Sequence, residues 1–172
     1  MTQKDQVDTM VGQWERECPG LGLDLEAMGI AARLGRFVLL AERRVEATFT
    51  AHGLRRGEFD VLATLRRSGA PYELIPSALA DALLMTRAGI TSRIDRLESA
   101  GLVRRRVDPE DRRSVRVALT EAGRELTEAV VAAHSANEGT LLAPLAGEER
   151  AVLDRLLRKL LAGVEEGSAV ES

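Results

Sequence analysis

Aromatic residues make up only 3% of the 172-residue chain, and there is one cysteine. With so few rings the core has to be built from Leu, Ala and Val, a composition that suits packed helices better than a sheet sandwich. A single thiol excludes an internal disulfide and points to an intracellular address. No apolar run approaches the ~20 residues of a membrane span, and Met1-Thr2-Gln3-Lys4-Asp5-Gln6 lacks the apolar segment of a secretory signal; the expected location is cytoplasmic. The two histidines, His52 and His134, and Cys18 are scattered, so no metal-ligand spacing stands out. A Gly-rich phosphate loop, a nucleophile elbow and a His-based dyad are also missing. The chain does not read as an enzyme, and no cofactor is expected.

What is present is a balance of 45% hydrophobic and 30% charged residues, that of a globular protein. The net charge of −3 is unevenly distributed. Residues 86–116 hold nine arginines against five acids, a local +4 that leaves −7 in the remainder. A basic segment on an acidic body is the footprint of local phosphate contact, although a solvated charged face gives the same count.

Val7, Met10, Val11 and Trp14 fall at i, i+3, i+4 and i+7, with Cys18 one turn on, a helical stripe that Pro19-Gly20 stops. A long helix, apolar on more than one side, is expected over 25–51, and a further helix over 57–67 with Phe59, Leu62, Ala63 and Leu65 buried. A short helix follows Pro76, from Ser77 to about Leu83. Thr86 is a good N-cap for the next, which Ala100-Gly101 ends after Ser99. The period then changes from 3.6 to 2 in Val103–Val107 and Val115–Leu119, two strands joined by a polar loop over 108–114. Helices from Thr120 to about Thr140 and from Glu148 to about Ala162 complete the order, with 163–172 expected to be a disordered tail. The fold class is mainly α with a small β-wing: N-terminal helices over 1–53, a winged helix-turn-helix over 54–120, and C-terminal dimerisation helices over 121–162.

In the helix after Thr86, Ile90, Ile94 and Leu97 share one face while Ser92, Asp95, Arg96 and Ser99 point the opposite way. Small polar residues and an arginine on such a helix suit base edges and phosphates. Arg112 and Arg113 sit at the loop tip with Asp111 close enough to orient a guanidinium, and an extended arginine there can enter a narrow minor groove. Arg93 flanks the buried side of its helix, and Arg105 shares strand parity with Val103 and Val107, so its face is expected to be inward. Buried cations need partners. Asp60 is one candidate; alternatively it pairs locally with Arg56 or Thr64 and the arginines reach solvent.

The stretch from Leu84 to Val103, with Asp108-Pro109-Glu110-Asp111-Arg112-Arg113-Ser114 and Val117-Ala118-Leu119-Thr120, resembles the recognition helix and wing of the MarR family of transcriptional regulators. The resemblance implies a homodimer joined by its terminal helices, gripping a pseudo-palindromic double-stranded DNA operator as a ligand-responsive repressor. The expected DNA-binding residues are Thr86, Arg87, Thr91, Ser92, Arg96, Asp111, Arg112 and Arg113. The extra N-terminal helix carrying Trp14 is similar to the PecS-like, urate-responsive branch. That likeness implies a site for a small anion, urate or a related purine, at Trp14, Asp60, Arg93 and Arg105, where breaking an Asp60–Arg93 pair would pull the recognition helix off register. Trp14 has an equally ordinary role as a core anchor. Two alternatives stand beside this reading: a thiol-based peroxide sensor at Cys18, and a helical interaction protein that does not bind DNA.

Overall fold

A computed structural model describes residues 4–108 and 114–170. Ten elements follow in order: α1 (Gln6–Glu17), α2 (Leu25–Ala51), α3 (Arg56–Arg67), β1 (Glu73–Leu74), α4 (Pro76–Ala82), α5 (Arg87–Ser99), β2 (Val103–Val107), β3 (Val115–Leu119), α6 (Glu121–Leu141) and α7 (Gly147–Val170). The helix–helix–helix–hairpin order of a winged helix-turn-helix is present, with one addition. β1 pairs antiparallel with β3 (Glu73 opposite Ala118, Leu74 opposite Val117), so the wing hairpin is part of a three-stranded sheet of order β1-β3-β2. A two-residue strand has no period of its own for a sequence reading to detect. The register of β2 on β3 sets Val103 opposite Leu119 and Arg105 opposite Val117.

The core lies in this middle region. Val61, Leu62 and Leu65 of α3, Leu79 of α4, Ile90, Ile94 and Leu97 of α5, and Val103 and Val117 of the sheet are all at most 2% exposed. They form one cluster with Phe49 of α2 and Val130 of α6. The expected stripe of α5 is thus the buried one, and of the four positions predicted for α3 only Ala63 is not fully buried. Burial of such side chains stabilises by roughly 1.5–3 kcal/mol each.

Helix starts follow local chemistry. Asp5 accepts the Val7 and Asp8 backbone N–H groups at 2.8 and 2.9 Å, while Asp8 returns the bond to the Asp5 N–H at 2.8 Å, a reciprocal cap for α1. Thr86 caps α5 through the Gly89 N–H at 3.2 Å. Thr120 caps α6 through the Gly123 N–H at 2.9 Å and also donates to the Gly101 carbonyl at 2.7 Å. At that junction α6 rides directly on the chain before β2: a Cβ at Gly123 would lie 1.9 Å from the Leu102 carbonyl oxygen.

Outside the middle region the helices are open. Ile30, Leu34, Phe37, Val38, Leu39 and Leu40 of α2 are exposed. Of residues 147–167 only Leu153 is partly covered. The last helix also extends beyond the expected 162 to Val170, although Gly163 and Gly167 each cost a helix about 1 kcal/mol relative to alanine. Among the described residues no helix is long and apolar enough to cross a membrane.

Candidate DNA-binding interface

α5 buries one face against α3, α4 and the sheet and turns the other outward. Thr86, Arg87, Thr91 and Ser92 are all exposed along its first turns. Thr91 donates to the Arg87 carbonyl at 2.9 Å, which seats the hydroxyl against its own helix. Arg87 and Thr91 also line, with Pro76 and Ser77 of α4, a cleft of about 340 Å³ open to solvent. Asp111, Arg112 and Arg113 lie outside the described residues.

The basic segment is less free than its charge count implies. Arg96 Nε donates to Glu58 Oε1 of α3 at 2.7 Å, and its Nη1 donates to Ser92 Oγ at 3.1 Å. Arg105 pairs with Asp95 at 2.5 Å and with Glu98. Arg116 Nε lies 2.6 Å from Asp108 Oδ2, and Arg116 and Arg106 approach Glu73 of β1 at 3.8 and 4.0 Å. These contacts fasten the wing root to the body and α5 to the wing. Arg87 and Arg104 are exposed cations with no acidic partner among the described residues. Arg104 was not among the expected contacts, although its parity, opposite to that of Val103, marks it as outward-facing.

Arg105 corrects an expectation. Val103 alone is buried in β2, and Arg105 remains partly exposed because Asp95 and Glu98, three residues apart on α5, reach over the strand and hold its guanidinium at the edge. Those two carboxylates push the Arg105 guanidinium still further up from its ordinary range, the Asp95 hydrogen bond most. Asp60 forms neither expected pair. Arg93 Nη1 donates instead to the Gly57 carbonyl at 3.3 Å, and the hydroxyl of Thr64 is buried without a partner. Partial burial pushes the Asp60 carboxyl up, against the more distant pull of Arg56, Arg93, Arg67 and His134.

Trp14 is 40% exposed on α1. Two clefts beside it are lined by residues 13–25, Cys18 among them, and include none of Asp60, Arg93 and Arg105. Within one chain the four expected ligand residues are therefore not gathered in either cleft. Cys18 is partly buried as a free thiol. Among the described residues no group of three His, Cys, Asp or Glu side chains is arranged to hold a metal ion.

The comparisons with known proteins agree with this architecture. A model of the MarR family matches residues 52–114, from the residue after α2 to the one before β3. The chain is 43% identical over 155 residues to the HTH-type transcriptional regulator PecS of Dickeya dadantii, covering 90% of this chain and 92% of that one. Among solved structures, AbsC, a MarR family transcriptional regulator from Streptomyces coelicolor, superposes with a TM-score of 0.70 at 26% identity, over 84% of this chain and 97% of that one. A mutant MarR from Escherichia coli complexed with operator DNA superposes with a TM-score of 0.66 at 26% identity, over 79% and 96% of the two chains. An extended likeness to one regulator, the family match on the reading head and the shared winged-helix fold exclude an enzyme, and the chain belongs to the MarR family of DNA-binding transcriptional regulators.

Proposed function

We propose that the protein is a repressor that binds a pseudo-palindromic operator as a homodimer and is released by a small anionic or aromatic effector. One observation carries the reading: a fully closed winged-helix head presents exposed Arg87, Thr91 and Arg104, while the helices flanking it expose contiguous Leu, Val and Phe side chains. The exposed apolar faces of α2 and α7 are what a second copy would cover, and a two-fold dimer sets two reading helices about one DNA turn apart. In this arrangement Thr86, Arg87, Thr91 and Ser92 address the major groove and its phosphates, and the wing residues Asp111, Arg112 and Arg113 address the minor groove. The regulator in the operator complex above supports the DNA-bound geometry by analogy.

The effector reading centres on Arg93 and Asp60. A purine anion such as urate would accept hydrogen bonds from guanidinium groups and stack on an indole. Arg93 sits against Gly57 with one hydrogen bond, to its carbonyl at 3.3 Å, and neither Arg93 nor Asp60 has an ion pair among the described residues, so an anion reaching Arg93 displaces no charged partner. To lower operator affinity, such an anion must bind better to a state whose heads no longer match the half-site spacing. Trp14 joins the site only if the dimer brings α1 to it.

Fluorescence anisotropy on the DNA flanking the protein's own gene, with random DNA as competitor and with or without urate, tests both parts. Operator-selective binding that urate relieves, and that Trp14→Phe and Arg93→Ala leave insensitive to urate, is the expected result. Selective binding indifferent to urate refutes the purine site and keeps the repressor; loss of selectivity even at low salt refutes the repressor.

A further inference from the structure

Two consecutive residues of α3 receive two arginines of α5. Gly57 carries no side chain, and the Arg93 guanidinium fills the space: a Cβ there would lie 2.2 Å from Arg93 Cζ. Glu58, next in sequence and 7% exposed, binds Arg96. Arg93 and Arg96 are one turn apart on the helix, so a pair of guanidinium groups grips the first turn of α3.

Glu58 is a fixed anchor. Its Oε2 accepts the backbone N–H of Arg55 at 2.9 Å, as the third residue of a helix does when it closes the N-terminus, and its Oε1 accepts Arg96 Nε at 2.7 Å. Each carboxylate oxygen thereby has its own donor. Burial pushes this carboxyl up, but the hydrogen bonds from Arg55 and Arg96 outweigh it and hold the group below the usual carboxylate range. The positive end of the α3 dipole acts in the same direction.

Reading a guanine takes a free guanidinium fork aimed into the groove. Arg96 has committed Nε to Glu58 and Nη1 to Ser92. We infer that Arg96 is a positioning residue, which sets the angle of α5 on α3 through Glu58 and leaves base and phosphate contact to the first turns of the helix. The inference rests on the DNA-binding reading above and changes the role of one of its expected contacts.

Charge separates the two roles. Arg96 as a phosphate contact predicts that its removal lowers the salt dependence of binding by about one ion, and that removing the Glu58 charge strengthens binding. Arg96 as a clasp predicts that losing either partner weakens operator binding with the salt slope unchanged. Glu58→Gln keeps an oxygen for the Arg55 cap, so the fold is retained. We expect Glu58→Gln, Arg96→Gln and the double variant each to lose about ten-fold in operator affinity, the scale of one mismatched base pair, with random-DNA affinity unaltered in Glu58→Gln. The double variant should lose no more than either single one. In the free protein, amide exchange within α5 should accelerate in Glu58→Gln while α2 and α6 are unaffected. Tighter operator binding by Glu58→Gln, a reduced salt slope for Arg96→Gln, or unchanged α5 exchange overturns the clasp. Wild-type protein that does not prefer its operator overturns the DNA reading instead, and the exchange measurement still judges the clasp.

Discussion

The winged-helix head and the helices around it are built from the same aliphatic residues and use them differently. In the head, Leu62, Leu65, Leu79, Ile90 and Val117 reach 0% exposure inside a single chain. In α2 and α7, Phe37, Leu40, Leu156 and Leu160 are about half exposed. The head packs its core within the one chain, completed by Phe49 of α2 and Val130 of α6, whereas the flanking helices also carry apolar faces left uncovered among the described residues. Hydrophobic content therefore does not tell which apolar residues are internal. The width of the apolar face does: α5 has one stripe, while α2 is apolar around much of its girth.

Charging the open faces gives the sharpest break between the regions. Leu156→Asp with Leu160→Asp should abolish association in sedimentation and lower operator affinity by about 100-fold or more, because each half-site is then bound without its neighbour. The head should remain folded by circular dichroism; its collapse in the same variant would erase the distinction. Next in size, Gly123→Ala tests whether the two regions are rigidly joined. The added methyl meets the Leu102 carbonyl, and a loss of about 1–3 kcal/mol in urea unfolding is expected. Arg87→Ala should weaken operator and random DNA alike and reduce the salt slope by about one, without a change in melting temperature.

The smallest effect sharpens the comparison within the head. Asp60 is half-buried with its carboxyl pushed up, so the native state holds its proton more tightly than the unfolded chain does. Linkage then makes the ion a cost above the ordinary aspartate range, relieved as pH falls through the raised native value. Asp60→Asn should raise the melting temperature at pH 7 by about 1–2 °C and by less near pH 4, read by calorimetry. A lower melting temperature at pH 7 would mean that Asp60 has a stabilising partner.

Much of this was legible from periodicity. The stripe Ile90, Ile94, Leu97 and the switch to alternation at Val103 locate α5 and the wing strands, because both periods follow from backbone geometry. Pairwise side-chain choices were not legible. Arg105 has the parity of Val103, yet its position is decided by Asp95 and Glu98 on another element. Glu58 reads as an ordinary third residue of a helix, and nothing in its neighbours announces Arg96, 38 residues away. The proposed effector residues show the same limit: the resemblance implies Trp14, Asp60, Arg93 and Arg105 as a set, but which of them meet depends on α1, a helix that packs chiefly on α2.

The two hydrogen bonds of the Thr120 hydroxyl, one accepted and one donated, have a mechanical side. The hydroxyl holds the start of α6 and the Gly101 carbonyl together, so the head is mounted on the helix with little slack. α6 has 21 residues, a stiff arm of about 30 Å at 1.5 Å per residue. Pivoting such an arm by about 5° at its far end carries the head some 2.7 Å, close to the ~3.4 Å spacing of one base step. With a lever of that length, movements too small to disturb any packed core are large enough to move a reading helix by nearly one base pair.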